Sequence, residues 1–156
     1  MQEIERKFLI KGNYKPFVKK SVKIKQGYLS SVPEKIVRVR IIGDKAFLTI
    51  KGIPNKSGTK RFEWEIEITP DEAEKLLVLC KPEIIEKTRH YIGMGKHTYE
   101  IDEFSGDNEG LVIAEIELQA EDEEFEKPAW LGDEVTGNIK FYNSMLIKNP
   151  YKKWKK

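Results

Sequence analysis

Charged residues recur at every second position in several short segments of this sequence. The chain opens with Glu3-Ile-Glu5-Arg-Lys7, and later segments pair bases or acids at the same spacing, as in Arg38-Val-Arg40 and Glu115-Ile-Glu117. Carboxylates with no Cys or His beside them favour hard cations such as Mg²⁺ or Mn²⁺, and Mg²⁺ is usually shared with substrate phosphates. Rows of Arg and Lys bind phosphate oxygens. These residue types together predict a site for a metal ion and a polyphosphate.

The composition narrows the class of protein further. In 156 residues, 28 Lys and Arg stand against 26 Asp and Glu, so the net charge of +2 provides no global field for nucleic acid. The single Cys80 excludes an internal disulfide, and with only two histidines little is left for a Cys- or His-based metal centre. No apolar stretch approaches the roughly 20 residues needed to cross a bilayer. We therefore expect a cytoplasmic protein with no nucleic-acid or membrane partner.

Eight segments of strand length alternate polar and apolar residues with a period of two. They are residues 2–10, 22–30, 35–42, 45–52, 60–69, 83–92, 96–104 and 111–120. Gly43-Asp44 and Gly93-Met94-Gly95 lie between neighbouring segments and are typical of hairpin turns. The sequence therefore predicts a largely antiparallel sheet.

The alternation places charges on one face of seven of these strands and apolar side chains on the other. A half-solvated antiparallel sheet is the plain alternative, and it explains any single strand well. Across seven strands, however, acids neighbour acids and bases neighbour bases, which costs stability unless something bound offsets the repulsion. Eight antiparallel strands can close into a barrel whose interior holds side chains or one small ligand. We expect an α+β, mainly β fold, a closed eight-stranded antiparallel barrel whose charged interior is here called the tunnel.

Helical signals are few. Thr69-Pro70-Asp71-Glu72 supplies an N-cap, a proline at the first helical position and two acids, which predicts a helix over residues 70–80. A second helix is expected around residues 138–147, and both should cover the apolar outer face of the barrel. Short helical pieces are expected near residues 14–20 and 128–134. The chain should form one domain over residues 1–150, followed by a basic tail over residues 151–156.

The charged segments occur in an order that resembles the CYTH superfamily, also called the triphosphate tunnel metalloenzymes. The ExExK signature of that family matches Glu3-Ile-Glu5-Arg-Lys7. The further matching segments are Gln26-Gly-Tyr28, Arg38-Val-Arg40, Thr49-Ile-Lys51, Glu63-Trp-Glu65, Glu86-Lys87-Thr-Arg89, Glu100-Ile-Asp102, Ala114-Glu115-Ile-Glu117, Glu134-Val-Thr136 and Lys140-Phe-Tyr142-Asn143. The resemblance extends over essentially the whole chain.

This resemblance implies a tunnel whose bases hold a triphosphate and whose acids bind divalent metal. The metal ligands that it implies are Glu3, Glu5, Glu63, Glu65, Asp102, Glu115 and Glu117. The substrate ligands that it implies are Lys7, Tyr28, Arg38, Arg40, Lys51, Arg61, Lys87 and Arg89. The residues expected to act in catalysis are Glu3, Glu5, Lys7, Arg38, Arg40, Lys51, Lys87 and Arg89. For Tyr28, a packing role with a satisfied hydroxyl is an equal alternative.

The resemblance alone does not choose among the reactions of the family, which includes inorganic, thiamine and RNA triphosphatases and class IV adenylyl cyclases. The compact single-domain form is similar to members acting on inorganic tripolyphosphate. We therefore expect its hydrolysis to pyrophosphate and phosphate, with two Mg²⁺ or Mn²⁺ ions, by a monomer or homodimer. An adenylyl cyclase or a thiamine triphosphatase is the enzymatic alternative, and the cyclase would need a nucleoside pocket that these residues do not reveal. A non-catalytic polyphosphate-binding module would keep the bases without needing the acids.

Overall fold

The computed structural model describes residues 2–154 and consists mainly of β-strands. The strands are β1 Gln2–Ile10, β2 Lys20–Val32, β3 Lys35–Ile42, β4 Lys45–Lys51, β5 Lys60–Ile68, β6 Ile84–Met94, β7 His97–Phe104, β8 Val112–Glu117 and β9 Leu131–Glu134. The helices are α1 Pro70–Cys80 and α2 Asn143–Leu146, with 3₁₀ turns at Lys15–Phe17, Gly106–Asn108, Ile139–Phe141 and Tyr151–Lys153. All eight predicted strands are confirmed.

The strands form one antiparallel sheet that closes on itself. The order of neighbours is β5, β4, β3, β2, β6, β7, β8 and β1. β1 also pairs with β5, the first strand in this order. In this pairing Gln2 lies opposite Phe62 and Ile4 lies opposite Lys60. This short pairing completes the predicted eight-stranded barrel and leaves β9 as an extra strand beside β1.

Register across the strands places the charged faces together inside the barrel. Lys7 of β1 lies opposite Glu115 of β8, and Arg89 of β6 lies opposite Asp102 of β7. The alternate residues on the same strands, such as Phe8, are buried in an apolar cluster outside the barrel. The predicted charged interior is therefore confirmed.

β9 occupies a segment for which the sequence predicts a short helix, and that prediction is wrong for Leu131–Glu134. These residues pair with β1, where Leu131 lies opposite Ile10 and Glu134 lies opposite Phe8. A Cβ atom at Gly132 would lie 2.8 Å from the carbonyl oxygen of Leu9, so glycine permits this close approach. The partner strand lies at the other end of the chain, which a local pattern cannot reveal.

Helix α1 lies where the sequence predicts it and covers one outer side of the barrel. The Thr69 hydroxyl accepts a hydrogen bond from the backbone N–H of Glu72, whose carboxylate accepts one from the backbone N–H of Thr69. This capping box starts the helix. Ala73, Leu77 and Cys80 are buried in an apolar cluster with residues of β3 and β4, and α1 also contacts β2. The expected outer packing of this helix is confirmed.

The C-terminal segment, residues 135–147, closes one end of the barrel. The helix expected over 138–147 is interrupted at Tyr142, which separates the 3₁₀ turn Ile139–Phe141 from α2. Phe141 and Leu146 pack against side chains that share strand faces with the tunnel charges. The barrel members of this end cluster are Leu9, Ile85, Phe104 and Ile113. The expectation that this segment covers the outer face is therefore wrong, because its apolar side chains fill the tunnel end where β1, β6, β7 and β8 meet.

Loops and the chain end complete the packing. Trp130 contacts Tyr99 edge to face at 5.2 Å between ring centroids, over the outer side of β1, β7 and β8. Trp154, from the predicted basic tail, contacts Phe141 of the end cluster at 5.3 Å. Lys155 and Lys156 of that tail lie outside the described residues. Across residues 2–154, the structure contains no helix of the length and apolarity that a membrane span requires.

Candidate active site

The tunnel contains a cavity of about 260 Å³ that is lined mainly by charged side chains. Every candidate site residue from the sequence borders it except Asp102. The candidate residues that line the cavity are Glu3, Glu5, Lys7, Tyr28, Arg38, Arg40, Lys51, Arg61, Glu63, Glu65, Lys87, Arg89, Glu115 and Glu117. The strand alternation thus brings together residues separated by more than a hundred positions in the chain.

Opposite charges meet across the strands of the tunnel wall, although like charges repeat along each strand. Lys51 Nζ lies 3.0 Å from Glu3 Oε1 and 3.4 Å from Glu63 Oε2. Burial alone would raise the pKa of Glu3, but the attraction of Lys51 and the hydrogen bonds with Glu63 and Lys51 together lower that pKa. The repulsion expected from the sequence is therefore partly offset inside the protein itself.

Glu5 and Glu115 differ in charge state although both lie on the tunnel wall. Burial would raise the pKa of Glu115, but Lys7 Nζ, at 3.1 Å, and Arg89 lower it to about 2. For Glu5, burial and then the charges of Glu115 and Glu3 raise the pKa to about 8. Glu5 also lies directly opposite Glu117 in the ladder between β1 and β8. At neutral pH Glu5 therefore stays protonated, which reduces the repulsion between it and the neighbouring acids.

Asp102 lies on the tunnel face of β7 but does not border the cavity, and two cationic side chains contact it. Its two oxygens accept hydrogen bonds from Arg89 at 2.8 and 2.9 Å, and Lys87 Nζ lies 2.7 Å from Oδ2. The carboxylate is almost fully buried, and these cations lower its pKa despite that burial. Burial in turn outweighs the attraction of Asp102 at Lys87 and lowers the pKa of that lysine to about 8. This position suits Asp102 for orienting the two bases better than for binding an ion.

Arg38 and Arg40 each carry one hydrogen-bond donor that meets no acceptor among residues 2–154. Their terminal Nη2 atoms lie 3.7 and 3.8 Å from the same oxygen of Glu65. The Nε atom of each is buried and has no hydrogen-bond partner among the residues described. Burial, followed by repulsion from Arg38 and Arg89, lowers the pKa of Arg40 to about 10. Both guanidinium groups line the cavity, where an anion would offer acceptors to their terminal nitrogens.

The C-terminal segment contributes four polar cavity residues that the sequence did not identify as site residues, namely Thr136, Tyr142, Asn143 and Ser144. The Thr136 hydroxyl accepts the backbone N–H of Lys7 at 2.9 Å. Lys7 Nζ lies 5.3 Å from the ring centroid of Tyr142, within cation–π range. Asn143 Oδ1 accepts a hydrogen bond from Lys87 Nζ at 2.9 Å. In the sequence, Thr136, Tyr142 and Asn143 were matched only through the family resemblance, because no strand alternation assigns them a face.

Gly58 and Gly137 hold this segment over the tunnel end. Both have φ of +78°, a left-handed conformation that favours glycine. A Cβ atom at Gly137 would lie 2.5 Å from the carbonyl oxygen of Ser57, which leaves no space for a side chain. The turn between β4 and β5 and the C-terminal segment therefore meet backbone to backbone.

The acids of the cavity provide oxygen ligands of the kind that hard divalent cations require. Glu3, Glu5 and Glu117 lie on the adjacent strands β1 and β8. Glu63 and Glu3 both contact Lys51. Among residues 2–154, no three acidic, His or Cys side chains already form a complete metal site. Ligation would therefore require these carboxylates to exchange their present lysine and proton partners for a cation.

Comparisons with known proteins agree with this geometry. A family model described as the CYTH domain matches residues 1–144. An inorganic triphosphatase of Acetivibrio thermocellus is 47% identical over 155 residues, which cover 99% of this chain and 98% of that protein. An inorganic triphosphatase of Nitrosomonas europaea is 34% identical over 153 residues, covering 94% and 97%. A solved inorganic triphosphatase superposes with a TM-score of 0.67 at 31% identity, covering 93% of each chain.

Proposed function

This chain belongs to the CYTH domain family, and from that premise we propose that it is a metal-dependent triphosphatase that hydrolyses inorganic tripolyphosphate to pyrophosphate and phosphate. The observation that carries the proposal is a single cavity in which buried bases face partly exposed acids. The near full-length likeness to two inorganic triphosphatases supports the choice of substrate.

The bases of the cavity would bind the phosphate chain. Arg38, Lys87 and Arg89 are each at most 9% exposed, so their charges act in a site with little screening water. The guanidinium groups of Arg38 and Arg40 line the cavity and provide donors for phosphate oxygens. In the transition state of phosphoryl transfer, charge spreads over the oxygens of the transferred group, and such fixed donors stabilise it.

The acids would bind the metal, and members of this family are generally metal-dependent. We propose Glu3, Glu5, Glu115 and Glu117 as the main ligands, with Glu63 and Glu65 able to hold a second ion or its water. Mg²⁺ or Mn²⁺ suits this oxygen set, and two ions fit its spread across β1, β5 and β8. Bound divalent cations neutralise phosphate charge and acidify the attacking water.

Further sequence-based expectations remain proposals. The protein would act in the cytoplasm as a monomer or homodimer and would need no nucleic-acid partner. Asp102, which the resemblance implies as a metal ligand, would instead orient Arg89 and Lys87 through the contacts described above, and the other acids would bind the metal.

Phosphate release from tripolyphosphate, ATP and thiamine triphosphate, each with EDTA, Mg²⁺ or Mn²⁺, tests the proposal. We expect tripolyphosphate to be hydrolysed fastest and only with a divalent cation. Cyclic AMP formed from ATP at a comparable rate would indicate a cyclase, and faster thiamine triphosphate turnover would change the substrate. Tight binding of tripolyphosphate with no turnover under any condition would indicate a binding module.

A further inference from the structure

A chain of hydrogen bonds crosses the closed end of the tunnel and links two candidate substrate ligands. Lys87 Nζ donates to Asn143 Oδ1 at 2.9 Å, and Gln26 Nε2 donates to the same oxygen at 3.0 Å. Gln26 Nε2 also donates to the Tyr28 hydroxyl oxygen at 3.1 Å. The chain therefore runs from β6 through α2 to β2 and joins Lys87 to Tyr28.

The chemistry of the lysine fixes the direction of every bond in this chain. An ammonium group only donates, so the Asn143 atom that faces Lys87 is its amide oxygen. Gln26 must then present its NH₂ group to that oxygen, because two amide oxygens in contact would repel each other. The same NH₂ group approaches Tyr28, so the tyrosine hydroxyl accepts from Gln26.

Two donors are left free to face the cavity as a result. The Tyr28 hydroxyl hydrogen is not used in its bond with Gln26, and no other hydrogen bond of this hydroxyl occurs within residues 2–154. Lys87 gives two of its three N–H bonds to Asn143 and Asp102, and it keeps one. Both side chains line the cavity.

The arrangement carries a cost at Gln26. Its side chain is fully buried, and its Oε1 atom has no hydrogen-bond partner in the part of the chain described. Leaving a buried acceptor unsatisfied is destabilising, and reversing the amide would place Oε1 against Asn143 Oδ1. The NH₂ group can therefore donate to both Asn143 and Tyr28 only in the orientation that leaves Oε1 without a donor among the residues described.

We propose that Asn143 and Gln26 are positioning residues that orient the donors of Lys87 and Tyr28 toward the phosphate oxygens of the substrate. The inference rests on the proposed function for the identity of that substrate. Gln26 makes the Tyr28 hydroxyl an acceptor on its buried side, so that it donates on its cavity side. Asn143 holds Lys87 from the C-terminal segment and supplies the acceptor that orients Gln26.

The test uses Gln26→Met, Asn143→Leu, Tyr28→Phe and the double variant Gln26→Met with Tyr28→Phe, which keep side-chain size nearly constant. We expect Gln26→Met to lower kcat/KM for tripolyphosphate by about 10- to 100-fold, as misplaced binding groups do. Its melting temperature should equal or exceed the wild-type value, because the orphaned oxygen is removed. The double variant should be no slower than Tyr28→Phe alone, because the two residues act as one unit.

Asn138→Ala is the matched control for Asn143→Leu. Asn138 caps the 3₁₀ turn of the same segment, through its Oδ1 and the backbone N–H of Lys140 at 3.2 Å, and it does not line the cavity. We expect this control to keep the wild-type kcat/KM. Wild-type kcat/KM in Gln26→Met, or fully additive losses in the double variant, would overturn the inference.

A second readout separates failure of this inference from failure of the proposed function. The dissociation constant of tripolyphosphate is measured by calorimetry for the same proteins, without reference to turnover. If the wild-type protein hydrolyses no triphosphate, the proposed function fails, yet weaker and non-additive tripolyphosphate binding in the variants still supports the network. Unchanged binding in Gln26→Met and Asn143→Leu contradicts the network whatever the reaction.

Discussion

Lys51 competes with any cation for the carboxylates that it now contacts. Its ammonium group bridges Glu3 and Glu63, and all three side chains line the cavity. A metal ion that binds these acids must displace the lysine, and the displaced lysine is then free to meet a phosphate oxygen. Metal and substrate binding are therefore expected to favour each other at this residue.

Lys51→Met provides the test at the residue scale. Without the competing ammonium group, Mn²⁺ should bind the substrate-free protein about three- to tenfold more tightly, as expected for the loss of a partly buried ion pair. Turnover of tripolyphosphate should nevertheless fall, because a phosphate ligand is gone. Calorimetry with Mn²⁺ alone measures the first effect, and a phosphate-release assay measures the second.

Lys75→Met is the control, since Lys75 pairs with exposed Asp71 on α1 and is not among the residues that line the cavity. This variant should leave Mn²⁺ affinity and turnover unchanged. Weaker Mn²⁺ binding in Lys51→Met would mean that the lysine holds the acids in place instead of competing for them.

At the scale of elements, the sequence predicts the strands well and the segments between them poorly. Each strand carries its own alternation, so Arg38 and Glu63 can be assigned to the tunnel without knowing their neighbours. Thr136 and Asn143 lie in turns and short helices with no period, and their direction depends on contacts with Lys7 and Lys87 at distant positions. The cavity residues of the C-terminal segment therefore could not be predicted from the local sequence pattern.

Glu123 stabilises the loop that follows β8. Its carboxylate accepts the backbone N–H of Gln119 and contacts His97 Nε2, both at 2.6 Å. These hydrogen bonds, the backbone one first, lower the pKa of Glu123 to about 2 from the ordinary 4.5. A carboxyl with a lowered pKa stabilises the folded state fully above its ordinary pKa, and that contribution is lost as the pH falls toward about 2.

Glu123→Gln therefore tests the loop at the element scale. The variant should melt a few degrees below wild type at pH 7, where a charged acceptor has been replaced. This difference should shrink steadily between pH 5 and pH 3, because wild type loses the contribution on protonation. Thermal unfolding followed by circular dichroism across that range measures both. A difference that stays constant with pH would show that the charge of Glu123 contributes nothing.

At the scale of the whole molecule, ligands complete a charge distribution that the protein balances only in part. Lys7 and Glu115 neutralise each other, whereas Glu5 stays protonated near neutral pH and two arginines keep unpaired buried donors. A divalent cation with a triphosphate would satisfy both groups at once. The free protein is therefore expected to be markedly less stable than the complex.

Thermal unfolding with Mg²⁺ and tripolyphosphate measures this difference. At a hundredfold excess over Kd, binding should contribute about 2.7 kcal/mol and raise the melting temperature by roughly 5 to 10 °C. Arg38→Ala should reduce the shift, since it removes one of the unpaired donors, whereas Lys75→Met should not. No shift in the wild-type protein at saturation would mean that the tunnel is not a ligand site.

The apolar clusters of this fold lie around the barrel and at its plugged end, and they leave its interior to charged groups. Selection can therefore alter the interior one residue at a time with little damage to folding, which gives the architecture unusual freedom to acquire new reactions. Random replacement of Arg61, Glu65 and Glu117 should return folded protein far more often than random replacement of Ile101, Ala114 and Leu146. Variants with new substrate specificities would then carry substitutions in the tunnel wall, while the residues of the apolar clusters stay unchanged.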